Sequence, residues 1–391
     1  MGRCAHMAAH QRSRYMRHVT RTSRDHLVME HRFLQGIGTS VSALGAGCWT
    51  IGGPATNRGV PIGWDGVDEE RAFRGLIRAR ELGVTLFDTA DVYGLGRSER
   101  LLGRLLQQEQ RTALVISGKV GYFAGTAPHP YTAIQMSHQL HTTLANLGTD
   151  YLDLYSFHSN DFGPQDRYLD GAIEQMEVFR RQGLIRAIGL RAPHEFAEEW
   201  AAEGTLDPRS PQATRFLDLF SRIRPDVVVA RYNLLSPLYH SQETDIFAFA
   251  RLHRVGVIIK QALGQGVLMG THHPDAARVF GKGDHRSQDP AFHPDVLRAV
   301  HHGLQPVRTH FGATPSSLAR VALRYALQHA PDSPVLVGFR DADQIQTTLT
   351  CLGAPLSHEE IVLVRHLLAP PRDALHAADT IRRPSQCPPT A

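Results

Sequence analysis

The sequence predicts an α/β protein, a (β/α)8 TIM barrel with an N-terminal β-hairpin and its active site at the C-terminal ends of the strands. Three observations predict it. Short, almost continuously apolar runs alternate with helical patterns along the 391 residues, as repeated βα units require. The runs end at positions 49, 88, 119, 158, 190, 232, 260 and 338, and eight such units fit a closed parallel barrel better than an open sheet. A doubly wound dinucleotide fold would carry G-x-G-x-x-G directly after its first strand, which Gly45-Ala46-Gly47-Cys48-Trp49-Thr50 does not supply.

In chain order, Phe33 to Leu44 reads as a small hairpin with turn glycines Gly36 and Gly38, and Val41 to Trp49 as a first buried strand. After a Gly- and Pro-rich loop, Asp68, Glu69 and Glu70 put acids in the first turn of a helix, where the macrodipole favours them. Ala72, Phe73, Leu76, Ile77 and Ala79 continue that helix at its own period. Val84 to Phe87 is a buried strand ending on Asp88. Tyr93, Gly94 and Gly96 follow, then a helix start with Ser98 as N-cap and Glu99 in its first turn. Leu114 to Ser117 ends at Gly118-Lys119, and a loop to Tyr131 precedes a helix over Ala133 to Leu147.

Tyr151 to Phe157 is a strand ending at His158, Leu169 to Gln182 a helix, and Ile185 to Leu190 a strand ending near Arg191. A helical stretch broken by Pro208 and Pro211 runs to Ile223, followed by strand Val227–Tyr232, helix Ile246–Arg254 and strand Val255–Lys260. The long loop Gly270 to Pro294 is expected to fold over another part of the chain. Helices resume over Val296–Phe311 and Ser316–His329, before a last strand, Pro334–Gly338, and two helices near Asp341–Leu352 and His358–Leu368.

Composition bounds the rest. With 42% hydrophobic and 20% charged residues, the chain is that of a globular protein, and no apolar run approaches the ~20 residues of a membrane span. Cys4, Cys48, Cys351 and Cys387 are scattered without a C-x-x-C pair, which speaks against a zinc knuckle or a disulfide framework and for a reducing, cytoplasmic setting. Six arginines and no acid lie in residues 1–24, so the remainder of a chain of net charge +4 is close to −2; a near-neutral body does not suggest a nucleic-acid partner. Residues 1–28 read as a disordered basic extension, with a transit-peptide-like segment or a start at Met29 as alternatives. Residues 29–369 are the barrel, and 370–391 a Pro-rich disordered tail. The pairs His272-His273 and His301-His302 read as solvated surface residues, and no metal site is expected.

The strand ends bring chemistry together. Asp88 and Tyr93, Lys119, and His158 follow three successive strands. Lysine is scarce here, with only Lys119, Lys260 and Lys282 among 42 basic side chains. Two of the three stand at strand ends, where a compact ammonium can enter a buried site. Acid, phenol, ammonium and imidazole together suit proton transfer at a carbonyl oxygen. Asp88 pairs with Lys119 and holds it, Lys119 lowers the pKa of Tyr93 from its usual ~10, and His158 orients the substrate oxygen. None of these groups carries a hydride, so a redox reaction needs a cofactor.

The order Asp, Tyr, Lys, His within Phe87-Asp88-Thr89-Ala90-Asp91-Val92-Tyr93-Gly94 and the strands that follow resembles the aldo-keto reductase superfamily, including its potassium-channel beta-subunit branch. Val41 to Gly47, Leu147 to Asp153, Leu263 to Leu268, Gly283 to Ser287 and Val337 to Arg340 with Gln344 carry the likeness further. The resemblance implies Tyr93 as general acid, assisted by Lys119, Asp88 and His158, and an NADPH extended across the barrel mouth. Cofactor contacts then fall to Gly47, Cys48, Trp49, Arg191, Lys260, Gln261, Leu263, Gly264, Gly338, Arg340 and Gln344, with Arg340 on the adenosine 2′-phosphate and Gln344 near the adenine. Cys48, beside Trp49 at a strand end, reads more readily as a small buried hydrophobe. The chain departs from the family pattern where the nicotinamide is held. Gly189-Leu190-Arg191-Ala192 replaces Gly-x-Ser-Asn, Val229 a Gln, and Lys260 an aromatic; Thr348 stands for an Asn near the adenine. Arg191 or Gln261 is expected to take over the lost carboxamide contacts. The expected function is NADPH-dependent reduction of an aldehyde, ketone or sugar to an alcohol. The alternatives are a redox-neutral or specialised enzyme of the same fold, and a cofactor-binding regulatory protein. Tyr122, Phe123, His129 and Tyr131 are candidates to line the substrate pocket.

Overall fold

The chain enters as a hairpin, β1 (His31–Leu34) antiparallel to β2 (Thr39–Ser42), in a computed structural model that describes residues 29–274 and 279–382. The first barrel strand is β3 (Leu44–Gly47), and a small ribbon of β4 (Thr56–Asn57) and β5 (Val60–Pro61) decorates the loop after it. The other barrel strands are β6 (Leu86–Asp88), β7 (Val115–Val120), β8 (Leu152–Phe157), β9 (Ile185–Arg191), β10 (Val227–Arg231), β11 (Gly256–Lys260) and β12 (Val335–Gly338). All eight pair in parallel, in sequence order, and β12 returns to β3 to close the barrel. Closure leaves the barrel sheet without an edge and excludes the open doubly wound alternative.

Helices cover the outside: α1 (Glu69–Glu81), α2 (Arg97–Leu106), α3 (Ala133–Leu147), α4 (Leu169–Arg181), α5 (Ser210–Ile223), α6 (Ile246–Leu252), α7 (Pro294–Phe311), α8 (Pro315–His329), α9 (Ala342–Thr350), α10 (His358–Leu367) and α11 (Ala369–Arg382). Asp68 caps α1 as its acids suggested, accepting from the Arg71 N–H at 2.8 Å. Among the described residues no helix is long and apolar enough to cross a membrane.

The barrel interior follows the two-residue period of its strands. Leu86, Val115, Leu154, Ala187, Val227, Val229, Ile258 and Leu336 form one buried cluster, joined by Leu34 and Val41 of the hairpin. The hairpin therefore seals the N-terminal end. Gly36 lies so close to the start of β10 that a Cβ there would stand 1.7 Å from the Asp226 carbonyl oxygen. Continued toward the other end, the same alternation turns Asp88, Lys119, His158, Arg191, Arg231 and Lys260 inward at the C-terminal mouth.

Several sequence expectations shift. The run Val41–Trp49 breaks at Ala43, where the hairpin hands over to β3, and Cys48–Ile51 winds into a 3-10 turn. Ser98 is not a cap: α2 starts after Gly96, whose φ of 83° needs no side chain, and Ser98 is buried within the helix. The proline-broken segment forms α5 because Pro211 falls in its first turn, where a missing N–H costs nothing. Where the expected Pro-rich tail is described, it is helical. It forms α11, whose Pro370 and Pro371 sit in the first turn, whose Leu375 is buried, and whose Pro371 rests on Gly303 of α7. The basic extension, residues 1–28, and the final residues, 383–391, lie outside the described residues.

Candidate active site

Backbone packing places the acid and the phenol. Asp88 ends β6 between Gly47 of β3 and Ser117 of β7 in the strand register. The loop after it doubles back tightly. Gly94, at φ 61°, packs against Gly52, whose carbonyl oxygen would lie 1.7 Å from an added Cβ. Ser98 fastens the other side, donating to the Cys48 carbonyl at 2.9 Å and pairing with the Thr89 hydroxyl at 2.9 Å. Tyr93 is thereby fixed over the mouth, its ring 6.2 Å from that of Trp49.

Lys119 and Ser117, two residues apart on β7, face the same way and take the two oxygens of Asp88 separately. The Lys119 ammonium donates to Oδ1 at 2.5 Å and to the Thr89 carbonyl at 2.7 Å, and the Ser117 hydroxyl donates to Oδ2 at 2.8 Å. Asp88 and Lys119 are both about 4% exposed. The ammonium lies 4.9 Å from the centre of the Tyr93 ring, and the His158 ring meets Tyr93 edge-on at 5.9 Å. Asp88, Tyr93, Lys119 and His158 thus form one cluster.

Their electrostatics differ in one respect from the sequence expectation. Burial raises the Tyr93 pKa and Lys119 lowers it, but burial wins, and the phenol is pushed up to about 12. Tyr93 is accordingly a stable proton donor. Burial is the largest single influence on Lys119 and lowers its pKa, but Asp88 and Tyr93 together raise it further, so it lies above the ordinary value. His158 is held well below its ordinary value by burial and by the charges of Lys119, Arg191 and Lys260. It is a neutral imidazole, and its Nδ1 has no hydrogen-bond partner among the described residues.

Of the aromatic loop after β7, Tyr122 alone joins this cluster, its ring 4.7 Å from His158. Tyr131 is a packing residue, 1% exposed, with its hydroxyl donating to the Ser159 carbonyl at 2.6 Å. His129 stacks on Tyr168 at 4.5 Å, and the carbonyl of Phe123 accepts from Gln135.

The remaining half of the mouth is basic. Arg191, Arg231 and Lys260 end three adjacent strands, with Arg231 in register with Lys260. Arg231 was not anticipated, although it lies two residues past the inward-facing Val229, and that spacing is its sequence signal. Arg191 donates to the Tyr122 hydroxyl at 3.2 Å and lies 3.4 Å from the His194 Nε2. Burial, then Arg191 and Lys119, drive the Lys260 ammonium well below its ordinary pKa.

The residues expected to hold an extended dinucleotide fit such a group. Gly47 and Gly338 pair across β3 and β12, which leaves the rim there without side chains. The segment after Lys260 takes left-handed conformations at Gln261, Gly264, Gln265 and Gly266 (φ 59°, 55°, 57° and 94°), a strained turn of the kind that cradles anions. Asn233 braces it by donating to the Gln261 carbonyl at 3.0 Å, and Leu263 leads into its 3-10 turn. Arg340 lies at the foot of α9, its backbone N–H donating to the Gln344 Oε1 at 3.0 Å. Cys48 is fully buried and its thiol is pushed up by burial, in line with its reading as a small hydrophobe.

The described part of the long loop folds over the site's flank through the segment Gly283 to Ser287, where the likeness had been noted, together with Asp65. Asp284, fully buried, binds Arg286 at 2.6 Å and accepts from the Asp65 N–H at 2.8 Å, while Arg286 reaches Asp65 at 2.9 Å. The clamp sets the His285 ring 5.1 Å from Trp49.

Comparison with known proteins shows the family. The model of the Aldo/keto reductase family matches residues 43–369. The chain is 24% identical to the aldo-keto reductase YhdN of Bacillus subtilis, over 85% of this chain and 91% of the relative. It is 22% identical to an NADH-specific methylglyoxal reductase of Escherichia coli, over 84% and 95%. The structure of a glycerol dehydrogenase from Gluconobacter oxydans superposes with a TM-score of 0.64 at 24% identity, covering 92% of this chain and 98% of that one. This likeness shows the shared barrel.

Proposed function

We propose, from the premise that this chain belongs to the aldo/keto reductase family, that it is an NADPH-dependent oxidoreductase reducing an aldehyde, ketone or sugar to an alcohol. The observation that carries this reading is the buried Lys119–Asp88 pair at 2.5 Å with the Tyr93 ring 4.9 Å from its ammonium. A reduced nicotinamide dinucleotide, when bound, supplies hydride to the carbonyl carbon. Tyr93 supplies the proton. Its phenol, pushed up to about 12, is fully protonated at neutral pH and donates to the carbonyl oxygen as negative charge develops there. Lys119, anchored by Asp88, stabilises the phenolate left behind. His158, kept neutral, donates one hydrogen bond that orients the same oxygen.

The choice of NADPH rests on Arg340, whose guanidinium suits a 2′-phosphate in charge and shape; the E. coli relative is named for NADH. The proposed setting is cytoplasmic, in keeping with free Cys48 and Cys351. The test is steady-state oxidation of NADPH with a panel of aldehydes, ketones and sugars, for the wild type and Tyr93→Phe. We expect turnover by the wild type and a loss of roughly a hundredfold or more in the variant. Turnover that survives removal of the hydroxyl would overturn the mechanism.

A further inference from the structure

The mouth of the barrel is electrostatically lopsided. Its inward-facing rim carries Lys119, Arg191, Arg231 and Lys260, and among the described residues the one inward-facing acid at that level, Asp88, is already held by Lys119 and Ser117. Among the described residues Arg191 forms no ion pair, and its guanidinium is hydrogen-bonded to the Tyr122 hydroxyl and lies close to His194. An arginine cannot shed its charge as a lysine can. It also lies within the reacting cluster, because Tyr122 touches His158 at 4.7 Å and His158 touches Tyr93 at 5.9 Å.

This inference rests on the reductase reading. A hydride donor must lie beside the carbonyl held by Tyr93 and His158, so its nicotinamide ring belongs in this mouth, facing the basic half. The reduced ring is neutral and the oxidised ring carries a positive charge. We infer that Arg191 makes the mouth bind the reduced dinucleotide more tightly than the oxidised one, so that the site is biased toward carbonyl reduction and toward release of the oxidised cofactor. Lys260 lies in the same field: burial first, then Arg191 and Lys119, hold its ammonium well below the ordinary pKa. Two unit charges about 8 Å apart at an effective dielectric of about 20 change a binding constant by roughly 30-fold, enough to dominate the preference.

The test is equilibrium binding, read by tryptophan fluorescence and by calorimetry with NADPH and NADP+ separately, on the wild type, Arg191→Met and Arg191→Lys. The wild type should bind NADPH at least about tenfold more tightly than NADP+. Arg191→Met should shrink that ratio about fivefold or more, chiefly by tightening NADP+, and Arg191→Lys should largely preserve it. A wild-type ratio near one overturns the inference. So does an Arg191→Met variant that weakens both dinucleotides equally, which would make Arg191 a holder of a group common to both. Wild-type protein that binds neither dinucleotide overturns the reductase reading as well, a result distinguishable from the other two. Circular dichroism of each variant, unchanged from the wild type, certifies that the binding values report folded protein.

Discussion

The Lys119 ammonium stands 2.5 Å from Oδ1 of Asp88, with both side chains withdrawn from water. Each charge is costly to bury alone, and each offsets the cost of the other. Asp88→Asn removes one partner and leaves the ammonium uncompensated. We expect a loss of about 3–5 kcal/mol in unfolding free energy, measured by urea denaturation, alongside lost activity. A loss below about 1 kcal/mol would mean that Lys119 escapes to solvent.

The pH dependence of reduction follows from Tyr93. A general acid serves while protonated, so its contribution is present at low pH and is lost as pH rises through about 12. The kcat/KM for reduction should therefore stay level from about pH 7 to about pH 10. His158 titrates well below its usual range and imposes no acid limb near neutrality. A basic limb centred near pH 8 or 9 in the pH–rate profile would contradict this assignment.

Asp91, beneath the same loop, carries a stability signature. Burial, with a smaller push from Glu99, raises its carboxyl to about 7 even though Gln139 donates to Oδ2 at 2.9 Å; Oδ1 has no partner among the described residues. The sign is that of an acid raised by folding. Below the unfolded value of 3.8 both states are protonated and nothing is lost. The penalty grows as pH rises toward 7 and is then constant. Asp91→Asn keeps the Gln139 contact and removes the penalty. Its thermal stability should match the wild type near pH 4 and exceed it above pH 7, by up to roughly 4 kcal/mol. Melting curves across that range decide it; parallel curves would refute the assignment.

The Asp65–Asp284–Arg286 clamp is expected to hold the long loop in place. Arg286→Met strands Asp284, whose carboxyl Arg286 and Asp65 now keep well below the usual range despite its burial. We expect destabilisation of about 3–5 kcal/mol and a changed tryptophan emission, because His285 and Arg286 pack on Trp49 and Trp64.

Arg340→Ala should weaken NADPH binding about tenfold or more and leave NADH binding nearly unchanged, since only NADPH carries the 2′-phosphate. Fluorescence titration with each dinucleotide measures this. Equal weakening of both would place Arg340 on a group they share.

Much of this protein was determined by its sequence alone. The eight apolar runs dictate the barrel because each can bury both faces only between an inner core and an outer helix layer. Asp88, Lys119 and His158 were legible because they stand at the ends of those runs, and Tyr93 because the glycines after it demand a tight loop. Other features depend on residues distant in sequence and were decided only by the tertiary structure. Ser98 looked like a cap because its local pattern is that of a cap; the Cys48 carbonyl, 50 positions away, makes it a tie. Pro370 and Pro371 looked like a disordered tail until Gly303 supplied a surface for them. The sign of the Tyr93 shift could not be read from a neighbouring lysine, because it is the balance between that charge and the loss of water. The unpaired charge of Arg191 is a property of the whole mouth: barrel closure sets it on the strand next to that of His158, with the inward-facing carboxylate at that level among the described residues, Asp88, already held by Lys119.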